Sequence, residues 1–163
     1  MKVAILMGSS SDLPVMEEAS AMLRRFGVDF EMHIMSAHRT PDEVASFARS
    51  AREKGFSVII AGAGMSAHLA GVVAAHTTLP VIGVPLSSSP LNGMDALLAM
   101  VQMPPGVPVA TVSLGKAGAQ NAALLAVEVL AIADEALRRK LEAHREDMKR
   151  KVLEQDAALP KPG

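Results

Sequence analysis

Short apolar-rich runs alternate with helix-patterned stretches along nearly the whole chain, and that alternation restricts the fold more than any other property of the sequence. Residues 2–7, 28–34, 57–61, 81–84 and 109–112 have the length and composition of strands, several of them apolar enough to be buried on both faces. Segment 13–26 carries Val15, Met16, Ala19, Met22, Leu23 and Phe26 at helical spacing and stops at Gly27. Asp12 is placed as its N-cap, with Pro14 in the first turn. Further helices are predicted over 41–54, closed by Gly55; from the end of a 62–68 loop to about 77; over 93–103, stopped by Pro104-Pro105-Gly106; and over 115–132. Strands alternating with helices require parallel pairing through right-handed crossovers. The predicted fold is α/β, a three-layer α/β/α sandwich on a parallel sheet.

With 163 residues, no internal repeat and no low-complexity linker, the chain reads as one domain spanning 1–163. A densely charged helix is predicted over 134–153, with Ala131, Ile132, Leu137, Leu141 and Val152 supplying one face. So few large apolar residues suit a helix that reaches a neighbouring subunit. Residues 157–163 are expected to fray.

Charge placement bears on assembly. Between Gly55 and Ala133 the charged side chains are Asp95, Lys116 and Glu128 alone. Outer helices this poor in charge predict a homo-oligomer that buries helix faces between subunits. A formal net charge of -1 predicts no capture of nucleic acid or of an anionic membrane. Cys is absent, which excludes disulfides, thiolate zinc sites and a cysteine nucleophile. Met1 leads into a strand-like run without a signal-peptide pattern, and no apolar run is long enough to span a bilayer, so a cytoplasmic protein is expected.

In a parallel sheet the loops at the carboxyl ends of strands converge on one edge. Three loops should therefore meet: 8–12, 36–40 and 62–68. The first, with Gly8, Ser9, Ser11 and Asp12, offers small residues, free backbone N–H groups, hydroxyls and a helix N-terminus, suited to phosphate or sugar; it could equally be a simple helix cap. The second holds Ser36, His38 and Arg39, a proton-transfer group beside an anion-binding group. Arg39 could instead form a surface salt bridge to Asp42 or Glu43. The third includes Ala63, Gly64, Ser66, His68 and Leu69 at its helix end, and its glycines let backbone approach a flat ligand. It matches G-x-G-x-x-A superficially, but no acid follows before Asp95, which argues against a dinucleotide. Ser66 lacks a G-x-S-x-G elbow, the five His have no metal-ligand spacing, and no cofactor or metal is expected. The segments 85–90 and 102–106 read as lids or oligomer contacts. The residues alone reach a small phosphorylated substrate and one histidine proton carrier.

Several motifs extend this reading: MGSSSD at 7–12, SAHRTP at 36–41, AGAG with AHL at 61–69, LPVIGVP at 79–85, MDALL with VQMPPGVPVAT at 94–111, and GKAGAQNAALLA at 115–126. In these the chain resembles the class I PurE family, the N5-carboxyaminoimidazole ribonucleotide mutases. The resemblance implies a flavodoxin-like fold, a homo-octamer with active sites at subunit junctions, and a cofactor-free transfer of a carboxylate from an exocyclic nitrogen to C4 of an imidazole. It also implies that Ser9 and Asp12 hold ribose and phosphate, that Ser36 and Arg39 complete that grip, and that His38 is the acid/base residue. Ala63, Gly64, His68 and Leu69 would border the imidazole and carboxylate. Met65-Ser66 stand where this class usually has Gly-Ala, Ala70 replaces a usual Pro, His76 a common Lys, and Ala96 and Ala99 usual Ser. Two alternatives follow. Class II, which carboxylates aminoimidazole ribonucleotide directly with CO2, resembles the 38–41 motif with Lys after the His. A non-catalytic nucleotide-binding or receiver module would share the fold, but a receiver needs an Asp where this chain has Ala61-Gly62.

Overall fold

The apolar-rich runs become five parallel strands. In the computed structural model, which describes residues 1–160, they are β1 (Lys2–Met7), β2 (Asp29–Ile34), β3 (Phe56–Gly64), β4 (Val81–Leu86) and β5 (Ala110–Thr111). Their order across the sheet is β2-β1-β3-β4-β5, the flavodoxin-like arrangement. Helices α1 (Leu13–Phe26), α2 (Pro41–Ser50), α3 (Leu69–His76), α4 (Met94–Val101), α5 (Gly115–Ala131) and α6 (Glu135–Ala157) complete the layers. A 3₁₀ turn at Ser10–Asp12 precedes α1.

Side chains alternate across the pleat, so β1 sends Val3, Ile5 and Met7 to one face and Ala4 and Leu6 to the other. The first face is covered by α1 and α5, through Met16, Leu23 and Phe26 and through Ala119, Ala122, Ala123 and Ala126. The second is covered by α2, α3 and α4, through Val44, Phe47, Val73 and Met100. Both faces of β1, β3 and β4 are thereby dry, and each large side chain there contributes roughly 1.5–3 kcal/mol by leaving water.

Several boundaries differ from the sequence expectation. β3 continues to Gly64, so Gly62, Ala63 and Gly64 are strand residues paired with Val84, Pro85 and Leu86. β4 contains Pro85, which is tolerated because β5 pairs with Ile82 and Gly83 alone and leaves the end of β4 an edge on that side. α2 stops at Ser50 rather than 54: the Ser50 hydroxyl donates back to the Ser46 carbonyl at 2.8 Å, and the following turn tightens until Gly55 N–H reaches the Arg52 carbonyl at 3.0 Å.

The Asp134 carboxylate caps α6, accepting from Ala136 N at 2.9 Å and Leu137 N at 3.1 Å. The helix runs to Ala157, beyond 153, and of the tail expected to fray at 157–163 the last three residues lie outside the described residues. Its supposed apolar face is split. Ala131 and Leu137 are buried and Leu141 packs against them, but Ile132 falls at the break between α5 and α6 and is 86% exposed, while Val152 lies past the core. Lys140 Nζ donates to the Phe26 carbonyl at 2.6 Å and seats α6 on the end of α1. Among the described residues no helix is long and apolar enough to cross a membrane.

Candidate active site

The order in which strands are added reverses at β1: one crossover leads to β2 on one side, the next to β3 on the other. At such a switch point the loops after neighbouring strands part and leave a crevice. Here the crevice is a cleft of about 670 Å³. Every residue singled out above lines it: Gly8, Ser9, Ser11 and Asp12 after β1; Ser36, His38 and Arg39 after β2; Ala63, Gly64, Ser66, His68 and Leu69 from the end of β3 to the start of α3.

The loop after β1 is a closed hydrogen-bonded unit. Asp12 does not cap α1 with its side chain; it reaches back to accept from Ser9 N–H at 3.0 Å. The Ser9 hydroxyl accepts from Ser11 N–H at 3.3 Å, and the Ser9 carbonyl accepts from Asp12 N–H at 3.1 Å. The N–H groups of Ser9, Ser11 and Asp12 are therefore engaged, contrary to the expectation of free donors. A ligand here meets hydroxyls and a carboxylate instead. Burial pushes the Asp12 carboxyl above its ordinary value, partly offset by bonds from Ser9, Gly8 and Ser11 and by the nearby Arg39 charge. With the folded value raised, Asp12's contribution to stability is fully present below the ordinary carboxylate range and lost as pH rises through the raised value.

The loop after β2 is held from within. Thr40 Oγ1 accepts from Ser36 N–H at 2.9 Å and donates to the Ser36 carbonyl at 3.1 Å. This fold-back turns His38 and Arg39 outward over the cleft. Arg39 is not paired with Asp42 or Glu43; its Nη2 donates to the Gly8 carbonyl at 2.7 Å and joins the first two loops. His38 Nε2 lies 2.8 Å from Nδ1 of His68, rings edge to face at 81°. Of two nitrogens this close one donates and the other accepts, so a single proton bridges the pair.

Sequence reasoning missed three members of the wall. Ala37 and Met65 lie inside the motifs, but Ser88 comes from the loop after β4. A Cβ on Gly64 would fall 1.8 Å from Ser88 Oγ, so glycine at the strand end is what lets this serine cross to the cleft. No local pattern in the sequence marks this approach, which depends on the pairing of Gly64 with Leu86. Among the described residues no three His, Asp or Glu side chains converge as a metal-holding group.

Comparison with known proteins identifies the family of the chain. The family described as AIR carboxylase matches residues 2–151. The chain is similar to the N5-carboxyaminoimidazole ribonucleotide mutase of Pyrococcus abyssi, 60% identical over 149 residues, 91% of this chain and 84% of the relative. It is similar to the enzyme of the same description from Bacillus subtilis, 57% identical over 157 residues, 96% and 97% of the two chains. Among solved structures it resembles Treponema denticola PurE, with a TM-score of 0.87 at 30% identity over 98% of this chain and 99% of that one.

Proposed function

The chain belongs to the AIR carboxylase family, and we propose that its cleft moves a carboxylate within one bound nucleotide. The enzyme converts N5-carboxyaminoimidazole ribonucleotide to 4-carboxy-5-aminoimidazole ribonucleotide in purine biosynthesis. The observation that carries the residue roles is the convergence of His38, Arg39 and Asp12 on one wall beside a glycine-bordered slot.

Arg39 and the hydroxyls of Ser9, Ser11 and Ser36 bind the phosphate, and ionised Asp12 accepts from a ribose hydroxyl, which offsets the cost of its burial. The flat imidazole lies against Ala63 and Gly64, beside the Ser88 hydroxyl that Gly64 admits to the cleft. His38 gives a proton to the exocyclic nitrogen as the N–CO2 bond breaks and its electron pair goes to nitrogen, releasing CO2 in the cleft. C4 of the ring attacks that CO2. The tetrahedral C4 then loses its proton to His38, which restores both the aromatic ring and the starting charge state of the histidine. His68 holds the His38 ring in place through the bridging proton. Confinement of CO2 converts recapture into an intramolecular step.

The whole of 1–163 acts in this reading as one domain in a cytoplasmic homo-octamer, with α6 used in subunit contacts. The charge-poor middle supports the assembly, as does a stripe on and before α4 in which Leu91, Met94, Leu98 and Val101 are each 50–64% exposed.

Supplying N5-carboxyaminoimidazole ribonucleotide, or aminoimidazole ribonucleotide with bicarbonate, tests the reading. The first is expected to yield the C4 carboxylate much the faster. Preference for the second would make the chain a direct carboxylase, and binding without turnover would make it a binding module.

Arg39→Ala is expected to raise KM about 10- to 100-fold with kcat within a few-fold, the loss of a charge-assisted contact. Because the Arg39 charge also lowers the Asp12 value, its loss raises that value further, and KM of the variant begins to climb at a higher pH than that of wild type as Asp12 is protonated. An unchanged KM across a pH series would contradict the phosphate role.

A further inference from the structure

The sheet sets the order of groups along the cleft. Strand order β2-β1-β3-β4 places the loop with Arg39 first, then Ser9 and Asp12, then Ala63 and Gly64, and last the loop after β4 with Ser88. Neighbouring strands lie about 4.8 Å apart, so the β4 loop opens roughly 10 Å from the β1 loop. That span is comparable to a ribonucleotide measured from its phosphate to the far edge of its base. Arg39 is the one Lys or Arg among the described residues lining the cleft, and its bond to the Gly8 carbonyl keeps it at the β1–β2 end. A nucleotide with its phosphate there carries its second anionic group, the carboxylate, toward the β4 end, where it needs a donor.

Ser88 has that donor in place. A Cβ built on Gly64 would fall 1.8 Å from Ser88 Oγ and 3.0 Å from Ser88 Cβ, so the serine side chain occupies the space that a side chain at the strand end would fill. The loop's own backbone is served by the next residue instead: the Ser89 hydroxyl accepts from Leu91 N–H at 3.1 Å, and the Ser89 carbonyl accepts from Asn92 N–H at 3.1 Å. The Ser88 hydroxyl makes no hydrogen bond to any described residue, which leaves its proton for a ligand. We propose that Ser88 is the carboxylate-binding residue of the cleft, its Oγ donating to a carboxylate oxygen of the nucleotide at the edge of the imidazole. This rests on the reaction proposed above. A hydroxyl suits a carboxylate that changes its point of attachment, because the O–H rotates and can follow the oxygen from the exocyclic nitrogen to C4. The bond is charge-assisted, so it distinguishes the carboxylated nucleotides from the one that lacks the group.

The test measures equilibrium binding to the full chain of 4-carboxy-5-aminoimidazole ribonucleotide and of aminoimidazole ribonucleotide, which differ by the carboxylate alone. Ser88→Ala removes one oxygen from an exposed side chain and leaves Gly64 unobstructed. It should raise Kd for the carboxylated nucleotide about 10- to 100-fold, the loss of a hydrogen bond to a charged group, and change Kd for the other by less than about 2-fold. Ser88→Cys keeps a side chain of similar shape but only a weak donor, and should show the same selective loss. Equal weakening of both nucleotides by Ser88→Ala, or no weakening of either, overturns the proposal. So does wild-type affinity of Ser88→Cys for the carboxylated nucleotide, which would assign the effect to packing. If wild type formed no C4 carboxylate from N5-carboxyaminoimidazole ribonucleotide while the selective loss persisted, the proposed reaction would fail and the Ser88 contact would stand.

Discussion

Replacing His38 with Asn lowers turnover by about 10²–10⁴-fold, the usual contribution of a positioned acid/base group. The nucleotide should still bind, because Arg39, Asp12 and the serine hydroxyls are untouched. Asn is close in size to the imidazole, and its amide can donate to or accept from His68 Nδ1, which in the native protein lies 2.8 Å from His38 Nε2. The variant therefore keeps the wall intact and loses the capacity to carry a proton between nitrogen and C4. Single-turnover conversion with a matched measurement of KM separates these effects: kcat falls and KM stays within a few-fold. Turnover near that of wild type would remove His38 from the chemistry.

Gly118→Ala has the largest expected effect on stability. Helix propensity alone favours this change by about 1 kcal/mol. The structure reverses the sign. Gly118 sits in the first turn of α5 with its Cα against the Ser113 carbonyl, and an added Cβ would lie 1.6 Å from that oxygen and 2.7 Å from its carbon. Those atoms are backbone, so no rotamer change relieves the overlap. Either the start of α5 or the segment after β5 must move, and α5 spans much of one core face through Ala119, Ala122, Ala123 and Ala126. The cost is roughly 3 kcal/mol or more, the upper range for overpacking. At about 2–4 °C per kcal/mol for a chain of this size, Tm should fall by ~6–12 °C. A melting curve superimposable on wild type would show that the close approach is absent in solution.

These residues also show what a reader of the sequence can see. The alternation of strand and helix patterns was enough to bring His38, Arg39, Asp12 and His68 to one edge, because parallel connections leave no other place for loops that follow strands. Strand ends were harder. In a strand buried on both faces there is no polar alternation to mark where it stops, so Gly62-Ala63-Gly64 resembled a loop while β4 pairing kept it in the sheet. Asp12 was legible as a cap, but whether it would cap α1 or reach back to Ser9 depends on a short 3₁₀ turn without a sequence period. Ser88 was hidden because its route to the cleft depends on the register between Gly64 and Leu86, a long-range fact. Likewise, nothing in the spacing of residues 38 and 68 says that their rings touch.

The bond from Arg39 to the Gly8 carbonyl has a kinetic side. It links the loop after the edge strand to the loop after its neighbour, so the guanidinium is already aimed across the mouth of the cleft with further N–H donors to spare. An arriving phosphate meets a group whose rotamer freedom was largely given up during folding, and association need not wait for a long side chain to search. Capture of the nucleotide should then depend mainly on how often it arrives.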